Sequence, residues 1–203
     1  MEINKEFYFK DKEHTTKTKA KKKQIILTNT TCTFEEYLVK IKTRYNGKYT
    51  KVPCFSISRD GDVYQHYDVN SYNDMLSEYG IEKNGITVAL ENVGWLHKDV
   101  ITGKLVDWKG SYYTKSVINI PWRGKKVWAN YTEIQYTKLV ELIDYLSLKH
   151  GIEKDFVGTN IIIDKPDQHK GILNRSNYSK NYYDLSPAFD FKKLTKLINK
   201  SYE

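Results

Sequence analysis

Residues 54–67, CFSISRDGDVYQHY, alternate apolar and polar side chains on both sides of Asp60-Gly61. Glycine tolerates the positive φ that a tight connection between strands needs, so Asp-Gly between two alternating runs predicts a β-hairpin. The elements on either side of this hairpin are predicted from their apolar spacing.

Two short apolar runs lie before and after the hairpin. Residues 24–27, QIIL, are predicted as a buried strand, and residues 85–90, GITVAL, as a second strand rich in β-branched side chains. Phe34, Tyr37, Leu38 and Ile41 follow the first run at helical spacing, which predicts a short helix packed on that strand.

The C-terminal half predicts two further helices. Thr132 and Gln135 have the spacing of a capping box, and Gly151 supplies a left-handed stop. The first helix is predicted to bury Ile134, Leu139, Leu142, Ile143 and Leu146, and a last helix from about residue 190 to bury Phe191, Leu194 and Ile198. Residues 92–131 are an aromatic-rich insertion. The element order predicts an α/β fold with a mixed central β-sheet flanked by helices.

The charge is unevenly distributed along the 203 residues. Of a net charge of +8, most lies in residues 10–23, KDKEHTTKTKAKKK, where seven Lys stand against Asp11 and Glu13. We therefore predict a basic N-terminal extension over residues 1–23 and one domain over residues 24–203. The sequence contains neither a secretory signal nor an apolar run of about 18 residues, so no membrane partner is expected.

The two cysteines, Cys32 and Cys54, are too few for a disulfide framework or a zinc site made of cysteines alone. A reducing compartment is expected, and whether the two residues pair stays open. Each is expected to be a small core residue.

Five strings recur in order between residues 23 and 191: KQIIL at 23–27, FSISRDGDVYQ at 55–65, GITVALEN at 85–92, VG at 157–158 and SPAFDF at 186–191. Together they resemble the zinc-dependent N-acetylmuramoyl-L-alanine amidases, the family of phage endolysins and peptidoglycan recognition proteins. ENVGW at 91–95 and RSNY at 175–178 are similar to amidase-like proteins of large phages. The resemblance implies that fold and a phage context, in the host cytoplasm or the virion. An unrelated α/β domain with chance matches is the alternative.

The resemblance also implies where a zinc site would lie, and the residues there are not zinc ligands. Three ligand positions carry Thr28 (or the adjacent Asn29), Thr159 and Ser186, while Pro53 and Asp184 replace supporting residues of the family. Zinc prefers imidazole nitrogen and thiolate sulfur to neutral hydroxyls and amides. We therefore expect no zinc and no catalytic residue. A rebuilt active site that uses Glu91, Asp184 or Asp190 remains an alternative.

None of the five histidines has the spacing of a metal site with another histidine. His169, with Asp164 and Asp167 nearby in sequence, is the one cluster of potential ligands. Solvated or dipole-paired roles are expected for the histidines, including His150 at the end of a helix.

The leading functional prediction is an inactive amidase-like protein that binds peptidoglycan or a muropeptide. Trp95, Trp108, Trp122 and Trp128 would supply flat faces for sugar rings, and Arg123 or Arg175 would pair with a stem-peptide carboxylate, with Asn177 beside them. The alternatives are a structural or protein-interaction component, for example of a virion, and weak nucleic-acid contact through the Lys-rich tail.

Overall fold

A five-stranded mixed sheet forms the centre of the computed structural model, which describes residues 1–9, 16–17, 20–76 and 81–200. The strands are β1 (Thr16–Lys17), β2 (Gln24–Asn29), β3 (Phe55–Ile57), β4 (Val63–Gln65), β5 (Ser71–Tyr72), β6 (Gly85–Leu90), β7 (Trp95–Lys98), β8 (Leu105–Val106), β9 (Val117–Trp122), β10 (Lys125–Ala129) and β11 (Gly171–Asn174). The helices are α1 (Phe34–Thr43), α2 (Glu133–His150) and α3 (Phe191–Lys200).

The central sheet has the strand order β11-β2-β6-β3-β4. Its first four strands are parallel, and β4 is antiparallel to β3 as the predicted hairpin requires. All residues of β2 and β6 are buried, because helices and loops cover both faces of a parallel sheet. Ile25 and Leu27 enter one core cluster and Ile26 another, which is the alternation expected for a strand buried on two sides. The predicted fold class is confirmed.

The long helix α2 begins and ends where the sequence predicted. Thr132 and Gln135 form the capping box, and Gly151 has a φ of 64° at the end of the helix. The prediction that Ile134 is buried is wrong, because it lies in the first turn and is 38% exposed. Its side chain covers the hairpin instead, where a Cβ on Gly61 would come within 2.5 Å of Ile134 Cγ1.

The aromatic insertion forms a separate antiparallel sheet with the order β8-β7-β10-β9. Trp128 on β10 is fully buried, and its indole N–H donates to the Ile120 carbonyl at 2.8 Å. The sequence predicted an insertion here without identifying these strands. No helix within the described ranges has the length and apolar character that crossing a bilayer requires.

Both outer strands of the central sheet are covered by segments of the same chain. Beside β4, the Asn4 amide donates to the Val63 carbonyl, and the Gln65 amide donates to the Asn4 carbonyl at 2.9 Å. Beside β11, the Val157 amide donates to the Ile172 carbonyl at 3.0 Å. The predicted basic extension thus includes a segment that packs on the sheet, whereas residues 10–15 and 18–19 lie outside the described residues.

The N-terminal segment also covers a buried histidine. His66 Nε2 lies 2.7 Å from Ser56 Oγ, and Nδ1 lies 3.2 Å from the Phe7 carbonyl. The carbonyl can only accept, so Nδ1 carries the proton and Nε2 accepts from the Ser56 hydroxyl. Burial lowers the pKa of His66 to about 4.

This depressed pKa predicts a loss of stability in mild acid. The unfolded chain binds a proton at His66 near pH 6.5, whereas the folded chain does not until about pH 4. Stability is therefore fully present above pH 6.5 and falls through that window, by about 2 kcal/mol between pH 7 and pH 5. Urea unfolding at both pH values measures this change. The His66→Gln variant should lose most of the pH dependence, and an unchanged slope in that variant would contradict the assignment.

Candidate functional site

The site that the sequence pointed to lies at the carboxyl ends of β2, β6 and β11. In open α/β sheets this edge is where ligands bind, because the loops that follow parallel strands meet there. Thr28 and Asn29 end β2, Arg175 follows β11, and the loop 178–190 returns Asp184 and Ser186 to the same edge. Three of the five predicted site positions, Thr28, Asp184 and Ser186, are fully or almost fully buried there.

The Asp184 carboxylate is the centre of this cluster. The Thr28 hydroxyl donates to Asp184 Oδ2, and the Asn29 amide lies 3.3 Å from the same oxygen. Arg175 approaches in fork geometry, with Nε 3.0 Å from Oδ2 and Nη2 3.0 Å from Oδ1. Asp184 is only 2% exposed, so the guanidinium supplies the compensation that a buried carboxylate needs.

Ser186 and Tyr131 complete the floor of the site beside Asn29. Burial raises the pKa of the Tyr131 phenol well above its usual range, and the side chains of Asn29 and Ser186 lie near enough to interact with it. The Ser186 hydroxyl accepts from the Ala188 amide at 3.3 Å. Asn29 Oδ1 is buried and accepts no hydrogen bond from the described residues.

Thr159 and Pro53 lie away from this cluster. The Thr159 carbonyl accepts from the side-chain amides of Asn174 and Asn177 at 2.9 and 2.8 Å, which ties the loop to the end of β11. The Thr159 hydroxyl accepts from the Ile161 amide. Among the described residues, Thr159 shares no hydrogen bond with Thr28 or Asp184. Pro53 is buried just before β3, at the opposite end of that strand from the carboxyl edge.

The residues gathered here do not fit a zinc ion. Their donors are hydroxyls, an amide and one carboxylate whose oxygens already accept from a guanidinium, whereas zinc needs imidazole, thiolate or free carboxylate ligands. Throughout the described part of the chain, no three His, Cys, Asp or Glu side chains come together as a metal site. His169 contacts Asp155, with Nε2 3.1 Å from its carbonyl, rather than its sequence neighbours Asp164 and Asp167.

A cavity of about 230 Å³ opens beside the cluster. Three of the predicted ligand-binding residues, Trp95, Trp108 and Arg175, line it, together with Asn29, Thr31, Val93, Gly94, Asn181, Tyr182, Tyr183 and Asp184. Trp108 is half exposed, and its indole N–H donates to the Thr31 carbonyl at 2.7 Å, so the ring is held in place and remains partly open to solvent. The cavity thus combines aromatic walls with a polar floor.

Four other residues predicted to bind a ligand contact the protein instead. Trp128 and Asn177 are both 0% exposed, so the prediction that they contact a ligand is wrong. Asn177 donates to the Thr159 and Ile161 carbonyls and accepts from the Asn174 amide, and so holds two loops together.

Arg123 and Trp122 support the wall of the cavity from behind. The Arg123 guanidinium donates to the Ser176 and Ser179 carbonyls, at 3.4 and 3.2 Å, and to the Tyr182 carbonyl. The same guanidinium lies 4.3 Å from the centre of the Trp122 ring, which packs edge-on against Trp128. These contacts position the segment that carries Tyr182 into the cavity.

Sequence reasoning missed several cavity residues. Asn29 is named only as the alternative to Thr28 at the first ligand position that the family resemblance implies. Tyr182 and Tyr183 directly precede Asp184, which was a usable signal. Tyr131, which lies beside Asn29 in the floor of the site, had no signal in the sequence that pointed to this position.

No protein-family model and no curated protein sequence matches this chain. Solved structures do match: the N-acetylmuramoyl-L-alanine amidase LysC from Clostridium intestinale URNW has a TM-score of 0.52 at 14% identity, over 88% of this chain and 86% of that one. An AmpD derivative gives 0.52 at 12% identity over 91% and 90%.

The amidase AmiD from E. coli, in complex with anhydro-N-acetylmuramic acid-L-Ala-D-gamma-Glu-L-Lys, gives a TM-score of 0.56 at 12% identity. The match covers 88% of this chain and 58% of AmiD. The chain therefore has the fold of N-acetylmuramoyl-L-alanine amidases.

The ion pair predicts a large loss of stability when only one partner is removed. Arg175→Met leaves the buried Asp184 carboxylate without its counter-charge and should lower the free energy of unfolding by roughly 3 kcal/mol. The double variant Arg175→Met/Asp184→Leu should recover much of that loss, because the orphaned charge is gone. Urea denaturation of the three proteins measures the coupling, and additive effects would show that the two side chains do not interact.

Proposed function

We propose that this chain is a catalytically inactive amidase-like protein that binds a peptidoglycan fragment, in a phage context. The proposal is carried by one observation. At the end of β2, where the amidase family holds its first zinc ligand, the Thr28 hydroxyl donates to an Asp184 carboxylate already paired with Arg175. The Thr28 hydroxyl, the Asp184 carboxylate and the Arg175 guanidinium are therefore bonded to one another.

The absence of activity follows from what amide hydrolysis requires. A zinc amidase holds its metal with three protein ligands and leaves one position for the water that becomes the nucleophile. Of the corresponding positions here, Thr28 and Ser186 offer buried hydroxyls, and Thr159 directs its hydroxyl to a backbone amide. We infer that the protein binds no zinc and leaves the amide bond intact.

The cavity favours the glycan portion of a peptidoglycan fragment. Trp95, Trp108 and Tyr182 contribute aromatic surface on which sugar rings stack. Arg175, the guanidinium in the lining, is paired with Asp184, and Arg123 donates to carbonyls of the protein. Both arginines near the cavity already have partners within the protein, so among the described residues neither is available to pair with a stem-peptide carboxylate.

Metal analysis and wall binding test this proposal together. We expect the purified protein to carry fewer than about one zinc per ten chains, because the protein ligands for zinc are missing. We also expect it to release no stem peptide from muropeptides. It should be retained on purified peptidoglycan at about 0.15 M salt. Stoichiometric zinc with cleavage would establish the alternative of a rebuilt enzyme. Absence of both zinc and retention would instead favour a structural or protein-interaction component.

A substitution in the cavity tests where the ligand binds. Trp108→Ala removes a fixed ring face and should weaken binding of a soluble glycan fragment about tenfold, equal to about 1.4 kcal/mol. Tyr145→Ala on α2 is the matched control, since Tyr145 is a partly exposed aromatic outside the cavity lining and should leave affinity unchanged. Titration calorimetry with both variants gives the comparison, and equal affinities for Trp108→Ala and wild type would exclude this cavity.

A further inference from the structure

The turn between β9 and β10 contains a residue that the turn itself disfavours. Trp122 pairs with Lys125, so only Arg123 and Gly124 form the turn, with φ values of 47° and 75°. Two-residue turns with positive φ at both positions favour Asn, Asp and Gly, because a long side chain is crowded in that conformation. An arginine at this position indicates that its side chain has a role outside the turn.

The Arg123 side chain extends from the turn to a loop 53 to 59 residues further along the chain. Its guanidinium donates to three carbonyls of that loop, those of Ser176, Ser179 and Tyr182. A guanidinium has five N–H donors in a rigid plane and can bind several carbonyls at once, whereas a lysine ammonium is a point donor. No helix or strand of the described chain covers residues 178–190, so side-chain contacts of this kind hold the loop in place.

Two tryptophans of the same hairpin contact the next residue of the loop. The ring centres of Trp122 and Trp128 lie 6.2 and 6.4 Å from the ring centre of Tyr183. The Arg123 guanidinium lies 4.3 Å from the centre of the Trp122 ring, a cation–π contact that orders both side chains. The hairpin of β9 and β10 therefore contacts the backbone of Tyr182 and the ring of Tyr183, and both residues line the cavity of the candidate site.

The aromatic insertion also supplies part of the cavity lining directly. Four of its residues line the cavity: Val93, Gly94, Trp95 and Trp108. The strand β7, which begins at Trp95, pairs with β10, the strand that follows the Arg123 turn. The sheet of the insertion thus carries one group of lining residues and, through Arg123, holds a second group. The position of the turn therefore influences how far apart these two groups lie.

We propose that Arg123 is a positioning residue that sets the shape of the cavity, and thereby which glycan binds there, by holding Tyr182 and Tyr183 against the insertion. This role rests on the proposed function of the cavity as a glycan site. Arg123 is not expected to contact the ligand, since its guanidinium is bonded to carbonyls of the protein. It acts through the aromatic side chains that the loop carries into the lining.

Two glycine substitutions separate loss of the guanidinium from relief of the positive φ. Arg123→Gly removes the guanidinium and suits the turn, because glycine adopts positive φ without crowding. Lys165→Gly is the matched control, since Lys165 is exposed, has a φ of 48° and lies outside the cavity lining. Each variant loses one positive charge. Hydrogen exchange of the amides of residues 176–183, measured by mass spectrometry without ligand, should become about tenfold faster in Arg123→Gly and stay at the wild-type rate in Lys165→Gly.

The selectivity between two glycans is a readout that general destabilisation would not change. Titration calorimetry measures the affinity of each variant for an N-acetylglucosamine trimer and for a fragment that contains N-acetylmuramic acid, which carries an additional lactyl group. A change in the shape of the cavity should alter the ratio of these two affinities about threefold or more in Arg123→Gly, because the two ligands fill the cavity differently. An equal loss of affinity for both glycans would indicate destabilisation alone and would overturn the proposal.

The outcomes separate the role of Arg123 from the function of the cavity. If the wild-type protein binds neither glycan, the proposed function fails together with the glycan selectivity, whereas faster exchange in Arg123→Gly alone would still show that Arg123 holds the loop. Unchanged exchange in Arg123→Gly contradicts the positioning role whether or not a glycan binds. Arg123→Asn places a residue that such turns favour and should reproduce both effects, so the test does not depend on the folding of a single variant.

Discussion

The ion pair between Arg175 and Asp184 joins the three segments that form the candidate site. Asp184 brings the closing loop to the end of β2, and Arg175 fastens that loop to the end of β11. Burying the Asp184 carboxylate without the Arg175 guanidinium would cost several kcal/mol. The ion pair therefore holds the loop in place in addition to packing. The same pairing consumes the carboxylate oxygens that a metal would otherwise use. One interaction thus shapes the cavity of the candidate site, and its two opposite charges cancel at the cavity floor.

Much of the fold could be predicted because its signals are local. The Asp60-Gly61 hairpin, the capping box at Thr132 and the apolar runs of β2 and β6 each depend on residues near in sequence. The strand β11 escaped prediction, since it pairs with β2, far along the chain. The hairpin of β9 and β10 within the insertion is local, with Lys125 opposite Trp122, and was missed.

The candidate site was predictable in position and less so in composition. The resemblance to the amidase family placed Thr28, Asp184 and Ser186 at one site, and the structure brings Thr28 and Asp184 into contact. The failure at Trp128 and Asn177 has a physical origin, because tryptophan and asparagine satisfy buried packing and loop carbonyls as readily as they bind ligands. Only the tertiary arrangement shows that Arg123 donates to carbonyls of a loop while Trp108 lines the cavity.

Coverage of the two outer strands has a consequence for self-association. The segment around Asn4 lies along β4, and residues 155–157 lie along β11, so the hydrogen-bonding groups of both borders meet partners from their own chain. An uncovered border is a template on which another copy can add a strand and begin a fibre. Local release of the segment around Asn4 would uncover β4 and leave that border open to pairing with another strand.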